Sequence, residues 1–151
     1  MLIIGCGNRQ RGDDAAGILV AERLQQLGIP AATCSGQTAD LIEACTGADD
    51  VIVVDAVATG APVGSVLTWD AAPAPISVTA SASTHGLGVA EAIELARVLG
   101  RLPARLRIYG IEARRFEPGS EISPELDSAI EEVVRRVIAA VSASEVAKSC
   151  T

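Results

Sequence analysis

The stretch Val51-Ile52-Val53-Val54-Asp55 decides the architecture. Four consecutive β-favouring aliphatics leave no polar face, so they predict a strand buried on both sides. Such a strand belongs in a mostly parallel sheet covered by helices above and below. Outward from it, Met1-Leu2-Ile3-Ile4 is a shorter apolar run that ends in Gly5-Cys6-Gly7-Asn8, a strand followed by a tight turn. Ala16, Val20, Leu24 and Leu27 recur at helical spacing, and Gly28 and Pro30 end that helix. Residues 31–34 read as a weak strand. Thr38 opens a short helix with Leu41, Ile42 and Cys45 inward. Residues 65–69 read as an edge strand, residues 76–80 as a further strand, and His85 opens a helix running to about Leu99. Residues 106–111 form the last strand. Ser123-Pro124-Glu125 starts a last helix with a cap, a proline and an acid. Leu126, Ile130, Val133, Val137 and Val141 make its apolar stripe, and residues 142–151 are expected to fray. The expectation is one domain over residues 1–151, a three-layer α/β/α fold with a mostly parallel twisted sheet.

The composition narrows the partners. The chain has 151 residues, 49% hydrophobic and 21% charged, enough to bury a core without a disulfide or metal staple. Aromatics are only 2%, so the core is aliphatic and base-stacking platforms are excluded. A net charge of −7 argues against nucleic-acid and anionic-membrane partners. No apolar run approaches the ~18 residues of a membrane span. The cysteines are Cys6, Cys34, Cys45 and Cys150, with no C-x-x-C pair to hold structural zinc. The expected setting is the reducing cytoplasm; Cys6, in a glycine-flanked turn, has two readings, a reactive thiol and the plainer one of a small buried side chain. His85 is the one histidine, so imidazole chemistry has a single source.

Sites in such folds collect beyond the carboxyl ends of the strands. That points to the loops after Gly5 and Asp55 and to the segment ending in His85. G-C-G-N-R-Q-R-G-D-D is not a dinucleotide fingerprint, because Gln10 stands where glycine is required and Ala31-Ala32-Thr33-Cys34 lacks the ribose-binding acid. Asp13 reads as a helix cap, a role in which asparagine would serve as well. Asp14 lies beside the expected crevice. Asp55 stands at the carboxyl end of the central strand, where its plainer reading is an Asx turn. Asp14, Asp55 and His85 together form a mixed oxygen and nitrogen set suited to a borderline divalent transition metal. Such a metal polarises a carbonyl or activates water.

Four ordered blocks carry a resemblance: G-C-G-N-R-Q-R-G-D-D-A-A-G, V-I-V-V-D-A-V-A-T-G-A-P-V-G, S-T-H-G-L-G-V-A-E-A and Y-G-I-E-A-R-R-F-E-P-G-S-E-I-S-P-E-L. From residue 2 to about residue 141 the chain resembles the hydrogenase maturation endopeptidases, which trim the C-terminus of the large subunit of nickel–iron hydrogenases. The resemblance implies an aspartic-type peptidase in which Asp14, Asp55 and His85 are both the nickel ligands and the catalytic residues. The expected base toward water, from carboxylate chemistry, is Asp14 or Asp55. By the same implication the nickel arrives bound in the substrate and no metal is tightly held at rest. The implied partner is the large-subunit precursor, met by a monomer. Asp14 replaces a commoner glutamate and is one methylene shorter. Ser35-Gly36-Gln37-Thr38 departs from a more glycine-rich G-T-x-G segment. Three other readings compete: a non-catalytic nickel-sensing checkpoint protein, a hydrolase resembling peptidyl-tRNA hydrolases, and a nucleotide-binding module. The second lacks a basic face for tRNA, and Gln10 weakens the third.

Overall fold

Among the described residues five strands build one sheet: β1 (Leu2–Cys6), β2 (Ala32–Cys34), β3 (Asp50–Val57), β4 (Val66–Asp70) and β5 (Arg105–Glu112). The computed structural model describes residues 1–71 and 88–150. The spatial order is β2-β1-β3-β5-β4. β1 pairs in parallel with β2 and β3, and β3 pairs in parallel with β5. β4 alone runs antiparallel, against β5 at the edge. The expected strand at residues 76–80 and the helix start at His85 lie outside the described residues.

Among the described residues four α-helices cover the sheet: α1 (Ala16–Gln26), α2 (Thr38–Cys45), α3 (Gly88–Val98) and α4 (Glu125–Ser149). The period-2 alternation of β3 divides its side chains between two cores. Ile52, Val54 and Ala56 join Ile3, Tyr109 and Ile111 beneath α1 and α4, where Val20, Leu24, Leu126, Val133 and Val137 complete one layer. Val51 and Val53 join Ile4, Cys6, Leu106 and Ile108 on the other face, under Leu41 of α2 and Ala92 and Ile93 of α3. The expected three-layer fold is the observed one. Burying each valine of β3 on both sides is worth about 1.5–3 kcal/mol, enough to make a one-residue slip of the strand prohibitive.

Two expectations about helix ends are corrected. α4 does not fray at residue 142 but continues to Ser149. Between Glu125 and Ser149 there is no glycine or proline, and Ala139, Ala140, Ala143 and Ala147 favour continuation. Glu132 also accepts from Arg136 one turn later, at 2.9 Å. At the other end, Pro124 occupies the cap position of α4 and no side chain caps the helix. Ser123 is turned elsewhere, as the site below shows. Leu27, expected on the buried stripe of α1, is half exposed beyond the helix end.

α1 lies on the sheet with backbone against backbone. A Cβ on Gly17 would sit 2.3 Å from the carbonyl oxygen of Val54 and 2.4 Å from that of Cys6. A Cβ on Gly5 would meet the carbonyl oxygen of Gly17 at 2.0 Å. These atoms belong to strand and helix backbones and cannot swing aside. Gly17→Ala, which in an ordinary helix interior stabilises by up to about 1 kcal/mol, is therefore expected to destabilise here by about 3 kcal/mol or more. Equilibrium urea denaturation of the two proteins measures the sign directly.

Candidate active site at the carboxyl edge of the sheet

The chain leaves β1 for β2 on one side and returns to β3 on the other, so the topological switch point lies between β1 and β3. Ligand crevices form there, outside the carboxyl ends of the strands. The first loop folds back on itself at this point. The N–H of Asn8 donates both to the carbonyl oxygen of Asp14 at 3.2 Å and to its Oδ2 at 3.0 Å. Gly7 permits the turn: its φ is +146°, and a Cβ there would stand 1.9 Å from the Asp14 carbonyl oxygen. A 3-10 turn, Gly12–Ala15, then carries Asp14 inward to 2% exposure.

Asp55 follows Val51 and Val53 on the α2 and α3 side of β3. It is 7% exposed. Its Oδ1 accepts the N–H of Ala56 at 2.9 Å; among the described residues its Oδ2 accepts no hydrogen bond. Burial pushes the Asp55 carboxyl well above the usual carboxylate range, and the charge of Asp14 pushes it further. The two acids thus share one electrostatic neighbourhood, as the topology argument expected. Cys34 contributes to the same field from the end of β2. His85, the third expected member, lies outside the described residues, and among the described residues no three histidine, cysteine or acidic side chains form a metal-binding group.

Asp13, expected to be an exchangeable helix cap, is instead a fully buried clamp. Its Oδ1 accepts the N–H of Ser123 at 2.6 Å. Its Oδ2 accepts the N–H groups of Arg114 and Arg115, both at 3.0 Å, and the Ser123 hydroxyl at 2.8 Å. Burial alone would raise this carboxyl; the donors from Ser123, Arg114 and Arg115 overcome it and hold the pKa below its ordinary value. Further bonds tie the same two segments: Asp13 N–H to the Arg115 carbonyl at 2.8 Å, Gly119 N–H to the Gln10 carbonyl at 2.8 Å, and Arg11 Nε to the Phe116 carbonyl at 2.9 Å. The segment after β5 is thereby the floor on which the first loop rests.

Glu112 does for the second loop what Asp13 does for the first. It is 3% exposed at the end of β5. Its Oε1 accepts the N–H groups of Thr59 and Gly60 at 2.7 and 3.0 Å, and its Oε2 accepts the Thr59 hydroxyl at 2.8 Å. The loop that follows Asp55 is held from below. Sequence reasoning passed over Glu112; the signal was an acid at a strand's carboxyl end, the same signal that singled out Asp55.

With this geometry in place, the class is defined by comparison with known proteins. Residues 34–140 match the HycI hydrogenase maturation protease family, and the chain belongs to that family. It is 29% identical to the hydrogenase 2 maturation protease of Escherichia coli (strain K12), over 97% of this chain and 93% of that protein. Among solved structures it is similar to the hydrogenase maturating endopeptidase HybD of E. coli, with a TM-score of 0.77 and 27% identity over 95% of this chain and 92% of the other. A hydrogenase 2 maturation peptidase from a Thaumarchaeota archaeon matches with a TM-score of 0.68 and 27% identity, over 93% and 96% of the two chains. The α/β sheet described above is the fold of these endopeptidases, and the chain is a peptidase by family.

The two clamps respond differently to an amide. In Asp13→Asn, whichever way the amide turns, its NH2 faces a backbone N–H that cannot reverse, so a loss of about 2–3 kcal/mol is expected. In Glu112→Gln the amide oxygen can keep both backbone N–H groups while its NH2 donates to the Thr59 oxygen, so the change stays within about 1 kcal/mol. Chemical denaturation of both variants checks the contrast; equal losses would contradict it.

Proposed function

We propose that this peptidase removes a C-terminal peptide from the nickel-loaded precursor of a nickel–iron hydrogenase large subunit. The observation that carries this reading is the state of Asp55. A buried carboxyl with an oxygen free of hydrogen bonds among the described residues, beside a second acid, is a costly arrangement in an isolated protein. A divalent cation brought by the substrate relieves both the burial and the repulsion. Family membership supports the same reading, since the relatives are named as maturation proteases of hydrogenases.

In this mechanism the nickel is part of the substrate and no metal is resident. Asp14 and Asp55, with His85, form the oxygen and nitrogen set that reads whether nickel is loaded. Engagement fixes the scissile bond against the crevice. Asp14 or Asp55 takes a proton from water as the water oxygen adds to the scissile carbonyl, and the proton passes to the leaving amine as the C–N bond breaks. Asp13 and Glu112 touch neither water nor peptide; they position the two loops that carry and flank the acids. The protein acts as a monomer in the cytoplasm. Among the described residues no helix is long and apolar enough to cross a membrane.

The test is incubation with a nickel-loaded large-subunit precursor, followed by mass measurement. Loss of a short C-terminal peptide is expected. A precursor that stays intact in a tight complex would replace the peptidase reading with a nickel checkpoint. Asp55→Asn and His85→Ala are each expected to slow processing by at least about a hundredfold. His85→Ala should leave the thermal midpoint almost unchanged, whereas a large loss of stability would assign the imidazole to the core.

A further inference from the structure

Cys6 and Cys34 are direct partners in the register of β1 and β2, at the carboxyl ends of both strands. Their sulfurs stand 3.0 Å apart, both as free thiols. Neighbouring strands place Cα atoms about 4.7–4.9 Å apart, inside the span a disulfide bridges, so joining the two needs sulfur movement and little backbone movement. Cys6 is fully buried; Cys34 is half-buried on a three-residue edge strand and faces solvent in part. The pair occupies the crevice rim: Gly7 N–H donates to the Cys34 carbonyl at 3.1 Å, and Asn8, the next residue, holds Asp14. We propose that Cys6 and Cys34 are a thiol–disulfide exchange site that reacts with small-molecule disulfides such as oxidised glutathione. The site is separate from whatever the crevice cleaves.

The two thiols have unlike roles. Cys6 and Cys34 share one S–H···S hydrogen bond, and together with the Gly36 N–H it outweighs burial and holds Cys34 down to about 7. Cys6 is pushed up by the same bond and by burial. Cys34 is therefore the reachable nucleophile and Cys6 the resolving thiol. The Cys34 thiolate attacks one sulfur of the small disulfide, breaks its S–S bond and releases one thiolate. The Cys6 thiol then gives its proton to that thiolate, attacks the Cys34 sulfur and expels the second small thiolate, which takes a proton from solvent to replace the one Cys34 had lost. Two protein thiols and one small disulfide become one protein disulfide and two small thiols, with no other oxidant. A dithiol reductant reverses the sequence. The bond ties the edge strand β2 to β1 beside the loop that carries Asp14.

The experiment treats the full chain, with Cys150→Ser to remove the exposed thiol just after α4, with oxidised glutathione at neutral pH. Peptides are mapped by mass without reduction. The expected product is a Cys6–Cys34 linked peptide pair, formed with the loss of two titratable thiols and restored by dithiothreitol. Cys45, buried and pushed up to about 11 by that burial, is expected to react on the order of a hundredfold more slowly. In Cys6→Ser the reaction should stop at a glutathione adduct on Cys34. A lasting adduct on Cys34 in the chain that retains Cys6 would overturn the proposal, as would a Cys34 that reacts no faster than Cys45. The map of the chain retaining Cys6 decides the matter by itself, whether or not Cys6→Ser folds, and needs no peptidase assay.

Discussion

Everything at the carboxyl edge depends on the bare contact of α1 with the ends of β1 and β3. Gly17 lies against the carbonyl oxygens of Cys6 and Val54, and Gly5 lies against Gly17, so at this crossing helix and sheet meet backbone to backbone. That closeness sets the height of the 3-10 turn before α1 and so the depth of Asp13 and Asp14. A methyl group at either glycine would lift the helix and separate Asp14 from Asp55. The lost contact would also open the core formed by Val20, Leu24, Ile52 and Val54, where packing is dense and voids are costly.

Asp13, Glu112 and Asp55, all buried at this edge, show how partner count separates framework from chemistry. Asp13 and Glu112 have their oxygens filled, by four and three donors respectively, and each pins a loop. Asp55 has one backbone donor and a like-charged neighbour. A saturated carboxylate lowers the energy of the fold; an under-saturated one stores electrostatic cost that a cation or a proton can remove.

The layer architecture was legible because β3 is apolar on both faces and the helices carry apolar residues at a period near 3.6. Leu41, Ile42 and Cys45 of α2 and Leu126, Ile130, Val133 and Val137 of α4 are buried as their spacing predicts, while Val141 is only partly buried. The end of α4 differs from the expectation because position near a chain terminus suggests fraying, while Ala143 and Ala147 and the absence of glycine and proline carry the helix on to Ser149. Asp13 was misread because a cap and a clamp have the same local sequence. Its donors come from residues 114, 115 and 123, about a hundred positions away, and no local pattern reports them. Cys6 and Cys34 showed no motif for a similar reason: their proximity comes from the β1 and β2 register.

The sequence by itself determined what local periodicity can encode: a doubly covered, mostly parallel sheet, its helices, and two acids in the segments that border the expected crevice. Four ordered blocks also carried the likeness to the maturation endopeptidases. Only the tertiary structure decided which acids are saturated and which sulfurs touch. Hydrogen-bond count, burial and charge repulsion are properties of groups brought together from distant parts of the chain, and backbone approach at Gly5 and Gly17 sets the distances at which they meet.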